Sequence, residues 1–460
     1  MMLSRRDLLA AAGAMPLLAA RPLRAVASDA PILHARPGSA ALGPAGTAET
    51  AIWGYGGGTP GPVLRVRQGA RVAQRLVNAL PQSTTVHWHG IRIDNAMDGV
   101  PDLTQETVSP DGAFLYDFVA PDAGTYWYHP HDRTWEQMAR GLYGALIVEE
   151  PAPPEVDRDE VLLIDDWRLT AEAGIDESFG AMMDWSHAGR FGNWVTVNGD
   201  GAFKTTVRRH ERLRLRLVNT ANARIFPLEL PGFEGWIVAL DGQPLAAPTP
   251  LGRLVLAPAQ RADLIVDVTA PPDGEAFLAF HDRDARYELA TFRVEAERRP
   301  ERLPAPPALA PNPLPAPGDL GKAQRATLRM EGGAMGGLRG AMLAGRMTGI
   351  RDLVDAGKVW AFNGMAEMPE QPLVSASRGE TVRITMINDT SWPHAMHLHG
   401  HHVRQVMDGE RLGPLRDTLL VDRDETVEIV FVADNPGRWL LHCHMLEHAV
   451  AGMMTWLEVA

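Results

Sequence analysis

The chain has 460 residues, which is too long for one ordinary hydrophobic core and suits two or three domains. Its formal net charge of −13 argues against binding of nucleic acid or anionic lipid, and beyond the N-terminal segment no stretch is long and apolar enough to form a membrane helix. The 44 glycines and 36 prolines favour short strands joined by turns, and the single cysteine excludes an internal disulfide.

The N-terminal segment has the features of an export signal. It carries a twin arginine, Arg5 and Arg6, followed by an apolar stretch at 8–20 and a small-residue cleavage motif at 25–27. We predict cleavage after Ala27 and export by the Tat route to the periplasm. The apolar stretch is too short to span a bilayer, so membrane insertion is not expected.

Three segments share an alternation of apolar and polar residues that ends in asparagine. They are "GARVAQRLVN" ending at Asn78, "HERLRLRLVN" ending at Asn219 and "GETVRITMIN" ending at Asn388. Such alternation is typical of half-buried strands. Nine positions after the asparagine, the first and third copies have a His-x-His pair, whereas the second has Leu-x-Leu. The chain is therefore predicted to contain a repeated unit whose middle copy has lost the histidines.

A second pattern closes each unit, with a turn glycine five residues before another strand position; these glycines are Gly124, Gly274 and Gly437. Many short strands with such turns predict an all-β protein made of Greek-key β-sandwich or barrel domains. We place three domains at 28–152, 153–298 and 323–460. The proline-rich segment 299–322 is predicted to be a linker with a stiff, extended path.

Four His-x-His pairs occur in the chain, all in the first and third units: His87/His89, His129/His131, His397/His399 and His442/His444. Residues i and i+2 of a strand face the same side, so each pair presents two imidazoles together. One pair would be a weak signal. Four pairs at matching repeat positions predict metal ligands rather than histidines of the core.

The only cysteine, Cys443, lies between His442 and His444, so its side chain is expected to point to the opposite face of the strand. The thiolate is then free to bind a separate metal. Two imidazoles and a distant thioether complete the donor set of a blue-copper electron-transfer site: His394, His448 and Met453.

The motifs "HWHG", "YHPH", "HAMHLHGH" and "HCHMLEHAVAGM" resemble the four copper motifs of the multicopper oxidases, and the resemblance covers the whole chain after the export signal. It implies three cupredoxin-like domains and four copper ions: one type 1, one type 2 and a type 3 pair. It assigns the type 1 copper to His394, Cys443, His448 and Met453. It assigns the type 2 copper to His87 and His397, and the type 3 pair to His89, His129, His131, His399, His442 and His444.

The same resemblance implies one-electron oxidation of a donor at the type 1 copper and four-electron reduction of O2 to water at the other three. Because that reduction consumes protons, an acid near the cluster is expected, and Asp98 matches the family's acidic residue. The alternative is that Asp98 only forms an Asp-Gly turn. Some relatives carry a second acid directly after the last type 1 histidine, where this chain has Ala449.

Two hypotheses remain for the electron donor that is oxidised at the type 1 copper. The C-terminal motif is also similar to that of copper-efflux cuprous oxidases, which carry a methionine-rich insertion for Cu(I). Here the methionines are sparser, and one hypothesis puts Met342 and Met347 on a short helix over the type 1 site; the full set is Met330, Met335, Met342, Met347, Met365 and Met368. Thr390 and Trp392 replace an Asp and a Met of those enzymes, so a laccase-like oxidase of phenols or aryl amines is the other hypothesis.

Two further classes fit the sequence less well. A copper-free cell-division or scaffolding protein of this architecture would have lost the ligands, which are all retained here. A two-domain copper nitrite reductase would have two units instead of three. We expect a monomer. Of the other histidines, His187 is expected to lie at the surface, and His402 is expected to orient its strand rather than bind metal.

Overall fold

The computed structural model describes residues 30–460, and Ile32–Ala460 form one compact unit in which β-strands are the main secondary structure and helices are few and short. The all-β prediction is therefore confirmed. The predicted export signal, residues 1–27, lies outside the described residues. Within the described chain, none of the helices has the length and apolar character needed to cross a membrane.

The elements of the first third are β1 Ile32–Ala40, β2 Thr50–Tyr55, β3 Leu64–Arg67, β4 Arg71–Asn78, β5 His87–His89, β6 Ala113–Val119, β7 Gly124–His129, α1 Thr134–Gln137 and β8 Gly144–Glu149. Those of the middle third are β9 Arg158–Trp167, α2 Met182–Ser186, β10 Trp194–Val197, β11 Phe203–Arg209, β12 Arg212–Asn219, β13 Phe226–Glu229, β14 Phe233–Leu240, β15 Gln243–Pro250, β16 Leu254–Leu256, β17 Arg261–Val268, β18 Glu275–Asp282 and β19 Ala285–Glu297.

The elements of the last third are β20 Gln324–Gly332, β21 Gly340–Leu343, β22 Arg346–Gly349, α3 Ile350–Asp355, β23 Trp360–Phe362, β24 Val374–Ala376, β25 Thr381–Asp389, β26 His394–Leu398, β27 Val403–Met407, β28 Arg411–Arg416, β29 Thr418–Val421, β30 Thr426–Val432, β31 Gly437–Cys443, α4 Leu446–Val450 and β32 Met454–Val459. Short 3-10 turns lie at Asn95–Met97, Leu320–Lys322 and Asp408–Glu410.

Each third of the chain builds two main sheets around its own buried core. The strand orders are β2-β1-β4-β6 and β3-β8-β7-β5, then β10-β9-β12-β17-β14-β15 and β11-β19-β18-β13-β16, then β23-β20-β25-β30-β27-β28 and β24-β32-β31-β26-β29. The same parallel pairs recur: β1 with β4, β9 with β12, and β20 with β25. The repeated sequence pattern thus corresponds to a repeated topology.

The asparagine that ends each patterned strand is buried and holds the turn that follows it; these residues are Asn78, Asn219 and Asn388. Its side-chain N–H donates to a carbonyl four or five residues later, and its side-chain oxygen accepts from the backbone N–H two residues later, at 2.7 to 3.2 Å. An asparagine in this position hydrogen-bonds to backbone N–H and C=O groups of the turn that would have no partner in the sheet. The turn leads into β5, β13 or β26, so it positions the histidine strands of the outer two thirds.

Candidate metal centres

The four His-x-His pairs lie at two antiparallel strand pairs. In β5 and β7, His87 stands directly opposite His129, and in β26 and β31, His397 stands opposite His442. The two strand pairs come from opposite ends of the sequence, yet the rings of His89 and His397 stack with their centroids 3.7 Å apart. The imidazoles predicted to be ligands therefore converge from the first and last thirds of the chain.

Cys443 belongs to a separate group with His394 and His448. Its Sγ lies 3.6 Å from His394 Nδ1 and 3.9 Å from His448 Nδ1, and the two nitrogens are 3.2 Å apart. Met453 is buried beside them: its N–H donates to the His448 carbonyl at 3.1 Å, and its carbonyl accepts from the Cys443 N–H at 3.2 Å. Two imidazoles and a thiol therefore meet at one point, which we call the mononuclear site.

In both imidazole rings of the mononuclear site, Nε2 is hydrogen-bonded to a group outside the site. Nε2 of His394 bonds to Thr390 Oγ1 at 2.9 Å, and Nε2 of His448 donates to the His187 carbonyl at 2.7 Å. A neutral imidazole with its proton on Nε2 keeps the lone pair of Nδ1 for a metal. The indole of Trp360 packs against both rings, with centroid distances of 5.1 and 4.5 Å.

Burial sets the protonation of these groups. It raises the pKa of the Cys443 thiol to about 12 and lowers the pKa of His448 to about 4. Burial, together with the adjacent His448, also lowers the pKa of His394 well below its ordinary value. The imidazoles are therefore neutral donors at neutral pH, and a cation must displace the thiol proton as it binds.

The other eight histidines that the sequence predicts as ligands form three groups whose ligand nitrogens lie within 4.8 Å of one another: His87/His89/His397, His89/His129/His444 and His131/His399/His442. Within them, His399 Nε2 is 3.1 Å from His442 Nε2, and His444 Nε2 is 3.4 Å from His129 Nε2. Each group is drawn from both ends of the chain. We call this set the histidine cluster.

In four of the eight rings, the second nitrogen is held by a backbone carbonyl. Four rings donate from Nδ1 at 2.8 to 2.9 Å: His87 to Asp98, His129 to Pro130, His397 to Asp417 and His442 to Cys443. This leaves Nε2 of each ring directed at the cluster. His89 is reversed, because its Nε2 lies 3.2 Å from Asp417 Oδ1 and its Nδ1 lies 3.5 Å from His129 Nε2.

The cluster fits a group of copper ions. Among the described residues, Nε2 of His87, His131 and His397 is buried and has no hydrogen-bonding partner. Buried polar atoms rarely remain unpaired unless an ion or water satisfies them. Burial and the neighbouring imidazoles lower the pKa of His131 to about 3, so its nitrogen is available to a metal. The imidazoles here, and the imidazoles with a thiol at the mononuclear site, are donor sets that suit copper.

Asp98, predicted from the sequence, lies inside the cluster. Its Oδ2 is 2.9 Å from His399 Nδ1, and its Oδ1 is 3.2 Å from His87 Nδ1. Its side chain is 2% exposed. It also ends the short turn Asn95–Met97, so the turn-forming interpretation describes its backbone, while the carboxylate contacts two rings of the cluster.

Asp417 is a second acid at the cluster, and sequence reasoning missed it. Its Oδ1 contacts His89 Nε2 at 3.2 Å and its carbonyl accepts from His397 Nδ1 at 2.9 Å. Burial alone would raise the pKa of the Asp417 carboxyl, but Arg261 and His89 hold it well below its ordinary value. The segment "LRDTLL" carries no metal-ligand spacing, so nothing local in the sequence marked it.

Two further expectations differ from the structure. Met342 and Met347 lie opposite each other in the hairpin formed by β21 and β22, so the hypothesis of a short helix is wrong. The reason is the two-residue turn Ala344-Gly345, in which both residues have positive φ, at 52° and 70°, as a tight hairpin requires. His187 is predicted from the sequence to be a surface residue; it is half-buried, and its carbonyl orients His448.

Comparisons with known proteins agree with this geometry. Models of the multicopper oxidase family match residues 39–153, 158–295 and 346–460. The chain is 26% identical to the copper resistance protein A homolog of Pseudomonas syringae pv. tomato, over 92% of this chain and 91% of that protein.

Two solved structures are also similar along their whole length. Lac15 from a marine microbial metagenome is 44% identical, with a TM-score of 0.76 over 93% of this chain and 100% of that chain. A multicopper oxidase from Pseudomonas thermotolerans is 32% identical, with a TM-score of 0.81 over 93% of this chain and 98% of that one. The chain is therefore an oxidoreductase that belongs to the multicopper oxidase family.

Proposed function

We propose that the chain binds four copper ions and couples the oxidation of a donor to the reduction of O2. The mononuclear site would hold the type 1 copper through His394, Cys443, His448 and Met453. The type 2 copper would be held by His87 and His397, whose buried Nε2 atoms have no hydrogen-bonding partner. The other six would hold the type 3 pair, as His89/His129/His444 and His131/His399/His442.

The position of Cys443 carries this proposal. Its thiol lies in the mononuclear site, while the residues on either side of it, His442 and His444, belong to the histidine cluster. Its carbonyl also accepts from His442 Nδ1 at 2.9 Å, which adds a hydrogen-bonded link between the two sites. When bound, copper supplies one-electron chemistry at the first site and four-electron reduction of O2 to water at the second.

We also propose that Asp98 is the acid that serves O2 reduction. It is buried, and its carboxylate oxygens lie against His399 of the type 3 group and His87 of the type 2 group. A carboxylate in this position can hold or pass a proton beside the reacting centre. Ala449 offers no second acid after the last type 1 histidine, so Asp98 carries more of this role here.

A cavity of about 250 Å³ lies beside the mononuclear site. One wall is Pro393, which is bonded to His394, and another is Met445, whose backbone N–H donates to Cys443 Sγ at 3.4 Å. An electron donor in this cavity would therefore have a short path to the site.

The remaining walls of this cavity suit a small aromatic molecule. Phe191 and Phe280 provide aromatic surface, and Asp282, whose side chain is half-exposed, adds a carboxylate. One-electron oxidation of a phenol or aryl amine releases a proton, and a carboxylate is suited to accept the hydrogen bond of that O–H or N–H group. We infer that phenols or aryl amines are the donors.

Filling the cavity tests this inference. In Ala188→Phe the new ring would occupy the donor's place, and we expect kcat/KM for a phenol to fall by about 10-fold or more, because a small displacement of a reactant is costly. The blue absorption should be unchanged. Ala246→Phe, in a cavity of about 960 Å³ that shares no lining residue with this one, is the matched control. Equal rates in Ala188→Phe and wild type, or an equal loss in the control, would contradict the assignment.

Cu(I) is a second candidate donor, favoured by one observation. Met342 stands opposite Met347 in the β21–β22 hairpin and pairs with Met365 through an isolated bridge, so Met342 has a methionine as its backbone partner on both neighbouring segments. Thioethers are soft ligands that bind Cu(I). These methionines adjoin the mononuclear site. Ala366 follows Met365, and a Cβ added to Gly452, the residue before Met453, would lie 3.4 Å from the Ala366 Cα. The similarity to a copper resistance protein supports the same candidate.

A double variant separates the two donors. If Cu(I) is the substrate, Met342→Leu with Met347→Leu should lower kcat/KM for Cu(I) by about 10-fold, equivalent to about 1.4 kcal/mol, and leave phenol oxidation unchanged. Met407→Leu, another partly exposed methionine on β27, is the control. Oxygen uptake is measured with each donor on the copper-loaded enzyme. An unchanged kcat/KM for Cu(I) would reject this candidate.

We propose that the enzyme works in the periplasm after Tat export and cleavage behind Ala27, as a monomer with domains at 28–152, 153–298 and 323–460. The N-terminal motifs support export, and the acidic net charge of −13 suits a protein that does not bind nucleic acid. The complete donor set argues against a scaffold without copper.

A further inference from the structure

The middle third of the chain supplies none of the proposed copper ligands, yet one of its side chains reaches the histidine cluster. Arg261 is the first residue of β17 and is fully buried. Its Nη1 donates to Asp417 Oδ1 at 2.8 Å and its Nη2 donates to Asp417 Oδ2 at 2.5 Å. A guanidinium and a carboxylate paired in this two-pronged way have a fixed mutual geometry.

Asp417 passes this geometry on to the cluster. The oxygen that accepts from Arg261 Nη1 is also the one that lies 3.2 Å from His89 Nε2. That contact makes His89 the reversed ring, with Nδ1 rather than Nε2 directed at its partners. The residues of this contact come from all three thirds of the chain: His89 from the first, Arg261 from the middle and Asp417 from the last. The three units therefore meet at the Asp417 carboxylate.

The surroundings of the pair keep it in place. Arg261 Nε donates to the Thr125 carbonyl at 3.2 Å, and its backbone N–H donates to Asp241 Oδ1 at 2.9 Å. Gly90, the last residue of "HWHG", leaves room for the pair. A Cβ at Gly90 would lie 2.2 Å from Arg261 Nη2 and 2.3 Å from Asp417 Oδ2. Position 90 therefore requires glycine for two reasons: a side chain would collide with the pair, and the backbone φ is +84°.

We propose that Arg261 is a positioning residue of the histidine cluster: through Asp417 it fixes the tautomer and orientation of His89, so the middle unit controls copper binding without contributing a ligand. This inference rests on the proposed function, since it requires the cluster to bind copper. Groups that orient a metal-bound histidine alter metal affinity by about 10- to 100-fold when they are removed. The competing view is that the pair only joins the three units mechanically.

Arg261→Lys, tested in the full-length protein, distinguishes these views. Lysine keeps the charge but cannot make the two-pronged contact. Arg212→Lys is the matched control, because Arg212 makes the same kind of buried pair with Asp267, at 2.7 and 2.8 Å, on the same sheet. The measurements are copper content per chain, resistance of each copper type to a chelator, the type 1 and type 3 absorption bands, and Tm.

We expect Arg261→Lys to keep its blue type 1 copper and to lose copper from the cluster at about 10-fold or more lower chelator concentration. Arg212→Lys should keep both kinds of site. Three results would overturn the proposal: Arg261→Lys retains copper in the cluster as well as wild type does, both variants lose cluster copper equally, or Arg261→Lys also loses the type 1 copper. Failure of the wild-type protein to bind copper in the cluster would instead overturn the proposed function.

A second variant covers the case in which Arg261→Lys does not fold. Asp417→Asn keeps the shape of the side chain but weakens its bonds to both Arg261 and His89. We expect the same selective loss of cluster copper. Where both variants fold, the double variant should lose little more than either single one, because both act on one contact. Full additivity would mean that Arg261 acts independently of Asp417 and would reject the inference.

Discussion

Replacing Cys443 by serine is expected to abolish the blue colour and reduce donor oxidation to the uncatalysed rate, while the fold persists. Serine has nearly the same volume but supplies no thiolate, and the thiolate is the soft ligand that defines the mononuclear site. Visible absorption, circular dichroism, and oxygen uptake with a phenol check this. The type 3 absorption should remain, because the histidine cluster does not use the thiol.

His34→Gln is the control for this experiment, since His34 is partly exposed on β1 and lies outside both metal groups and outside the donor cavity. It should retain full colour and activity. Phenol oxidation at the wild-type rate in Cys443→Ser would show that electrons enter elsewhere, and the assignment of the mononuclear site would fail.

Replacing Asp98 by asparagine is expected to lower kcat by about 100-fold, because general acid–base groups contribute roughly that much or more. Asparagine can still form the turn and can still bond to His399 through its amide oxygen, so the effect isolates the acid function. Under argon the blue band should bleach with a donor at the wild-type rate. On admission of O2 it should recover slowly.

Asp102→Asn, an exposed acid four residues away, is the control and should behave as wild type. If Asp98→Asn reoxidises at the wild-type rate, Asp98 has only its turn-forming role. Slow bleaching under argon would place its effect at the mononuclear site instead, contrary to the geometry.

The direction of side chains along a strand was readable from the sequence. Because successive residues of a strand face opposite sides, "HCH" predicted two imidazoles in one site and a thiol in another, and the structure has this arrangement. The repeated asparagines and the loss of histidines from the middle unit were also local signals. Asp98 was found because it stands at a fixed distance from His87 in a recognised motif.

Other features were not readable in this way. The methionine segment was assigned a helix, because sparse apolar spacing does not separate a helical turn from a hairpin; the positive φ of Ala344 decided for the hairpin. His187 acts through its backbone carbonyl, a group that every residue has, so its type carried no signal. Arg261 and Asp417 are 156 residues apart, and neither lies in a histidine motif.

The sequence by itself determined the all-β fold, the family and the residues proposed as copper ligands, because strand periodicity and ligand spacing are properties of short segments. Only the tertiary structure decided which imidazoles share a group, which ring nitrogen each one presents, and which acid and guanidinium hold them. Those features depend on contacts such as that between His89 and Asp417, which are 328 residues apart and meet only because different sheets pack against one another.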